Sequence, residues 1–410
     1  MSAALNSFSA ASSRRVGLVV GGHVFDRWSE VEIDRDLRNI AGGFTMQYVD
    51  SGRIAQAVSP DLDQLPPFQI IRPGMAYTVL LDGEPVQRGW IDQVQLKDEA
   101  DELSATVTGR DVCGDLVDCA AAPNGPVEWH GLNALQIAQA ICAPFGLSVR
   151  AEVDVGPAFP VFGIQLDENC MPAIERACRQ RGLLMVSDGV SGLILTVGGN
   201  TRAPAALARG GNIQASDYTN SWAERYSDYY VKGQTGTGGQ RAGKNCAITS
   251  ATDPSSAPAP LPDVSDDTAE ASTIVMTGHA IDPQVTRYRP NVRGVATQSG
   301  SASAQAQAEW ALRVARGMGE TLNYTVQDWR AGAANALWLA NQIVAVSDAY
   351  LDINRDMLIS GVKYRMSEAG ITTVLRIAGR TAFDRIDEPA KGPKFLFKKS
   401  PRSFGPTRTG

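Results

Sequence analysis

The stretch from Gly89 to Asp118, GWIDQVQLKDEADELSATVTGRDVCGDLVD, constrains this chain more than any other, because an altered copy, LISGVKYRMSEAGITTVLRIAGRTAFDRID, spans Leu358 to Asp387. Ile91, Val94 and Leu96 match Ile359, Val362 and Tyr364; Val107, Gly109 and Arg110 match Ile377, Gly379 and Arg380; Asp115 and Asp118 match Asp384 and Asp387. Each copy predicts a β-hairpin with a charged turn, then Gly-Arg and a short amphipathic turn. A weaker echo of Phe44, Met46, Tyr48 and Asp50 in Leu322, Tyr324, Val326 and Asp328 extends the repeat upstream. The expectation is a duplicated β unit, with Gly109, Arg110 and Asp118 equivalent to Gly379, Arg380 and Asp387.

A chain of 410 residues exceeds what one core usually organises, so several domains are expected. The 40 Gly and 22 Pro favour turns and a mainly β architecture. Val31 and Ile33 alternate with Glu32 and Asp34, Ala76–Leu81 leads into the turn Asp82-Gly83, and the first hairpin follows. These short runs predict a small antiparallel β-barrel or sandwich over 13–112, after a Ser/Ala-rich, disordered 1–12. From Cys113 the period changes to helical, with stripes at Leu132, Leu135, Ala138 and Ile141 and at Ala173, Ile174, Ala177 and Cys178. With strands at Leu183–Val186 and Leu193–Val197, these predict an inserted small α/β domain over 113–205.

Strands at Ile213 and Tyr226–Lys232, a helix over Ser301–Arg316 and the closing hairpin are assigned to a second antiparallel β-barrel, 206–388. The helix is expected to have a Ser N-cap, an Ala-rich body, Trp310, Val314 and Met318 on one face, and Gly317 as its stop. Residues 234–272 lack apolar periodicity and predict a flexible loop. The overall fold class is therefore mainly β and multidomain, α+β overall.

The formal charge of −6 argues against general DNA binding, which needs a basic footprint. That charge is uneven: Lys391, Lys394, Lys398, Lys399, Arg402 and Arg408 make 389–410 a basic tail, leaving −12 on the remainder. The six cysteines show no CxxC spacing and read as buried thiols of a chain that folds in a reducing cytoplasm. Arg14-Arg15 before Val16–Val20 is not followed by an export-type apolar run, and no stretch approaches the roughly 20 apolar residues of a membrane span.

Catalytic and metal motifs fail one by one. Gly238-x4-Gly243-Lys244-Asn245 lacks the hydroxyl that a phosphate loop needs after Lys. His23, His130 and His279 have no second ligand at metal spacing, and neither HExxH nor GxSxG is present. The run Arg225–Gln234 could stack sugars or bases, but its alternation predicts a strand with Tyr226 and Tyr229 or Tyr230 partly buried. No catalytic residue, metal or cofactor is expected. A cell-wall hydrolase or carbohydrate-binding module is the alternative, since sequence cannot place two carboxylates across a cleft.

Taken in order, GLVVGGHVFDRWSEVEIDRDLRNIAGGFTM (17–46), IRPGM (71–75), TGRDVCGDLVDCAA (108–121), QIAQAICAPFGL (136–147), ERACRQRGLLMVSDG (175–189), RYSDYYVKGQ (225–234) and RYRP (287–290) resemble the Mu-like contractile-tail baseplate hub proteins. The 234–272 loop and the basic tail depart from that pattern. The resemblance implies a structural virion protein, assembled in the bacterial host cytoplasm, whose two similar barrels per chain form a pseudo-sixfold ring as a homotrimer. It also implies the tail tube protein, the central spike protein and other baseplate proteins as partners, with DNA only as passing cargo. The basic tail suggests contact with an acidic neighbour or a tape-measure protein.

Overall fold

The computed structural model describes residues 16–50, 70–98, 103–121, 124–165, 167–199, 201–235, 274–294 and 304–383. Residues 1–12, nearly all of the 234–272 loop with its phosphate-loop look-alike, the basic tail, and Asp384 and Asp387 lie outside them. Among the described residues no helix is long and apolar enough to cross a membrane.

The first unit contains β1 (Val16–Val20), β2 (His23–Phe25), β3 (Glu30–Asp36), β4 (Asn39–Asp50), β5 (Ala76–Leu81), β6 (Glu84–Asp98) and β7 (Leu103–Asp111). Its strands form because apolar side chains recur every second residue, and Val31, Ile33, Phe44 and Met46 all point into the core. Asp82 and Gly83 turn β5 into β6 with φ of 50° and 84°, as a two-residue hairpin requires. Gly109 of β7 lies directly opposite Phe44 of β4. Lacking a side chain there, β7 lets the Phe44 and Tyr77 rings meet edge-on, 4.5 Å apart. A Cβ on Gly109 would lie 2.6 Å from the Trp90 carbonyl oxygen and 2.8 Å from the Phe44 ring.

The next stretch builds a second core. It runs through α1 (Gly114–Asp118), β8 (Glu128–Leu132), α2 (Ala134–Cys142), β9 (Ser148–Ala151), β10 (Phe159–Gly163), α3 (Cys170–Arg179), β11 (Leu184–Ser187) and β12 (Gly192–Thr196). Asn133 caps α2 in a reciprocal capping box with Gln136. The apolar stripe of α3 is the expected one, with Ala173, Ile174, Ala177 and Cys178 buried. In α2 it is Ile137 that joins Ala138 and Ile141 in the core, while Leu135 is partly buried. Cys113, Cys142, Cys170 and Cys178 are buried free thiols, and Cys119 is exposed.

The chain then returns through β13 (Thr201–Arg202), β14 (Leu207–Ala208) and β15 (Ile213–Asn220). Here the structure departs from expectation. β16 (Asp228–Thr235), β17 (Ile274–Ile281) and β18 (Pro290–Gly294) do not join the second barrel's sheet but form a separate three-stranded one, ordered β17-β16-β18. It packs on α4 (Ala304–Gly319) around Tyr229, Val231, Ala308 and Leu312. The buried face of α4 is Ala304, Ala308, Ala311 and Leu312, not Trp310, Val314 and Met318, and Gly317 lies inside the helix. Close packing explains the difference: a Cβ on Gly278 of β17 would fall 2.0 Å from the Ala304 carbonyl oxygen, so only small residues fit at this contact.

The second unit is β19 (Glu320–Gln327), the short hairpin β20 (Arg330–Ala331) and β21 (Ala336–Leu337), β22 (Gln342–Asp348), β23 (Ile353–Ser367) and β24 (Gly370–Ala378). The protein is mainly β, and the two units share one 14-stranded sheet along the path β15-β19-β24-β23-β3-β4-β7-β6-β5-β1-β2, with β22 beside β23. One apolar core underlies both, from Leu18 and Phe44 to Tyr324 and Ile377. Within one chain this path has two open ends, β15 and β2.

Candidate assembly surfaces

The strand pairings reveal the duplication more sharply than the sequence does. In the first unit the neighbours run β3-β4-β7-β6-β5; in the second they run β15-β19-β24-β23-β22. Phe44 and Met46 face Gly109 and Val107, while Leu322 and Tyr324 face Ile377 and Leu375. Both hairpins carry a bulge at the same point, Asp92 between Ile91 and Gln93, and Ser360 between Ile359 and Gly361. Counted from those bulges, Gly109 takes the place of Ile377, so the Gly109-Arg110 and Gly379-Arg380 pairs stand two residues apart in the two hairpins. A two-residue offset keeps each side chain on its face, which is why a pattern match alone does not detect it.

The bulged residues have different jobs. In the first unit Arg110 donates to Asp92 at 2.9 Å and to Asp118 at 2.6 Å, joining the hairpin to α1 and holding the Asp118 carboxyl below its ordinary range. In the second unit Ser360 accepts from the Leu37 backbone N–H through its carbonyl at 2.8 Å. Gly379 closes on Gly317 of α4, and Arg380 opens a 3-10 turn ending at Phe383.

Past Ser360, β23 changes partner. Ile353–Leu358 pairs with β22, whereas Gly361–Met366 pairs antiparallel with β3 of the first unit, Tyr364 opposite Ile33 and Arg365 opposite Glu32. Acids on β3 meet bases on the second unit: Arg365 lies 3.2 Å from Glu32, Lys363 contacts Glu32 and stands 3.7 Å from Asp34, and Arg376 lies 3.0 Å from Asp34 and also pairs with Asp36. Such half-exposed pairs contribute little stability each, yet acids along one strand facing bases along the other favour the joining of these two strands. A further tie binds the first unit's turn, where Arg330 meets Asp82 at 3.0 Å and Glu84 at 2.7 Å and Trp329 Nε1 donates to Asp82 at 2.9 Å. Apolar periodicity says nothing of this charge complementarity, although Glu30-x-Glu32-x-Asp34-x-Asp36 against Lys363-x-Arg365 was a readable signal.

Two strand segments carry no such partner. Among the described residues, β6 from Gln93 to Asp98 pairs with β7 alone, and β15 from Ala215 to Asn220 pairs with β19 alone. Both are largely solvent-exposed along their length. Leu96 and Tyr218, which stand on the same sheet face as core residues opposite them, are 51% and 39% exposed.

A cleft of about 360 Å³ separates the second core from the sheet, lined by Arg35, Asp111, Arg150, Ser187, Asp188 and Asn341 among others. At its floor Asp111 accepts from Ser187 Oγ at 2.6 Å, the Gly42 N–H at 3.1 Å and the Cys113 N–H at 2.9 Å. Burial outweighs those bonds and pushes its carboxyl up to about 6. Asp188 shows the reverse balance. Burial would raise it, but bonds from Ser191 and the backbone N–H groups of Ser191, Gly192 and Val190 bring it down to about 2. This network locks the second core onto the sheet. His279 stacks on Tyr230 at 4.3 Å and meets Asp228 at 2.8 Å, and among the described residues no group of three or more His, Cys, Asp or Glu converges as a metal site would.

Comparison with known proteins follows the same divisions. Residues 15–111 match the N-terminal family model of Mu phage baseplate assembly protein GpP-like proteins, 113–197 the second domain of the baseplate hub protein gp44-like family, and 300–386 the fourth domain of Mu phage GpP. Baseplate hub protein gp44 of Escherichia phage Mu is 29% identical over 378 residues, covering 90% of this chain and 89% of that protein. The chain belongs to the Mu-like baseplate hub family. Membership makes it a baseplate hub of a Mu-like phage tail and a virion component, and the matched families are structural ones. The fold agrees. The 43 kDa tail protein of prophage MuSo2 from Shewanella oneidensis superposes with a TM-score of 0.73 at 25% identity, over 91% of this chain and all of that one. A tail protein of Neisseria meningitidis MC58 gives 0.68 at 22%, over 90% and 97%.

Proposed function

We propose that the chain is the trimeric adaptor at the end of a contractile tail tube, joining the hexameric tube to the trimeric central spike and enclosing part of the DNA channel. The observation that carries this reading is the repeated strand order with its repeated bulge. Three chains with two like units each present six like surfaces to a sixfold tube and three to a threefold spike. In this reading the units are tube-like barrels over 13–112 and 206–388, 113–205 is an inserted domain, and the role is structural rather than enzymatic. Other baseplate proteins are partners, the basic tail reaches a neighbour or a tape-measure protein, and assembly takes place in the host cytoplasm.

The negative body supports a lumen that repels phosphate and lets DNA pass without sticking. Light scattering of the full chain mixed with spike and tube proteins tests the adaptor role. A complex of three chains that binds both is expected, while a persistent monomer that binds neither, or turnover of peptidoglycan in zymography, would overturn it.

A further inference from the structure

The join inside the chain shows how one unit attaches to the next, and the same attachment is left open at each end of the pair. We infer that Gln93–Asp98 of β6 in one chain pairs antiparallel with β15 of the next, repeating between chains the contact that β23 makes with β3 within one. This rests on the ring reading and adds the surface and the register.

Superposing the repeats residue by residue gives that register. The bulges equate Val94 with Val362, Leu96 with Tyr364 and Lys97 with Arg365. On the other side, Phe44 and Leu322 are equivalent, so their partners Ile33 and Tyr218 are too, and likewise Glu32 and Asp217. Transferring the internal pairing Tyr364 to Ile33 and Arg365 to Glu32 then sets Leu96 opposite Tyr218 and Lys97 opposite Asp217.

Two independent features of the side chains agree with this register. The internal pair Tyr364 and Ile33 is fully buried, while its proposed counterparts are among the large apolar side chains left exposed, Leu96 by 51% and Tyr218 by 39%. The internal pair Arg365 and Glu32 forms a salt bridge at 3.2 Å, and its counterparts Lys97 and Asp217 again carry opposite charges in the same order. Neither segment contains a proline that would block a further strand. A second copy of this chain fits them because each copy offers both halves of the contact, a head-to-tail arrangement that generates a ring when its rotation closes.

Disulfide trapping tests the seam. Residues directly opposite in an antiparallel pair have Cα atoms about 4.5–5.5 Å apart, within reach of a disulfide. Oxidised L96C/Y218C full-length chain should give linked dimers and trimers on non-reducing gels. L96C alone, Y218C alone and the off-register L96C/D217C should stay at the background of the parent, whose Cys119 is exposed. In parallel, K97D should raise the concentration needed for half-assembly about tenfold, and K97D/D217K should bring it back. A mass of three chains by light scattering without the L96C/Y218C link and without charge rescue overturns this seam and leaves the ring reading standing. A monomer with no link overturns both.

Discussion

Tyr364 lies directly opposite Ile33 across β23 and β3, both fully buried, so the two units share one core. Ile33→Ala should therefore destabilise the two units together. About 2–5 kcal/mol is the cost of removing a side chain of this size from a packed core. Urea unfolding followed by tryptophan fluorescence, with Trp28 in one unit and Trp338 in the other, should show a single transition moved to lower denaturant; two separate transitions would mean that the units unfold independently.

Gly109 should not tolerate even a methyl group. Its Cβ would press on the Trp90 carbonyl oxygen and the Phe44 ring, so Gly109→Ala is expected to cost about 1–3 kcal/mol, the usual range for overpacking. Gly163→Ala serves as control, since its nearest neighbour is 3.8 Å away, and it should leave the thermal midpoint unchanged.

Asp282 has a fully buried side chain that receives Arg225 at 2.7 Å and Arg316 at 2.7 Å, tying β17's sheet to α4. Asp282→Ala strands buried guanidinium charge and should cost about 3–5 kcal/mol. Burial alone would raise this carboxyl, but the bonds from Arg316 and Arg225 hold it at about 2. With the folded value below the unfolded 3.8, its contribution is complete above about pH 4 and is lost as the pH falls towards 2. Acid titration of wild type against Asp282→Asn, which removes that titration, measures it.

Asp111 should act with the opposite sign. Its folded value of about 6 lies above the unfolded 3.8, so its protonated form favours the fold below about pH 4 and that advantage disappears as the pH rises to 6. The expected loss is roughly 3 kcal/mol, since each tenfold change in proton affinity is worth about 1.4 kcal/mol. Urea midpoints at pH 4.5 and 6.5 should differ less in Asp111→Asn than in wild type; an unchanged difference would assign the titration elsewhere.

Local pattern revealed a great deal of this architecture. The alternation in β3 and β4, the Asp82-Gly83 turn, the stripe on α3 and both hairpins follow from side-chain period and turn chemistry, which act between near neighbours. What sequence hid was pairing at a distance. Nothing local in Tyr229 or Val231 says that β16 belongs to a separate sheet, and nothing in the alanines of α4 marks them as a buried face until Gly278 brings a backbone against them. The offset of Gly109 from Gly379 escaped for a related reason, because a shift of two residues preserves the apolar pattern. The surfaces read here as functional, the β23 join and the two exposed edges, are non-local in the same sense. Only the β23 join is announced in the sequence, by the opposite charges on β3 and β23.

The partner change of β23 at Ser360 has a kinetic meaning. A ring of six like units made from six separate chains would need five encounters, each costing the translational and rotational freedom of a free molecule. Because β23 carries one strand's length across two units, every second contact is already made when the chain folds, at no cost in concentration. The proposed ring of three such chains would then assemble as a three-body problem, its population depending on the third power of protein concentration where a six-chain ring would depend on the sixth.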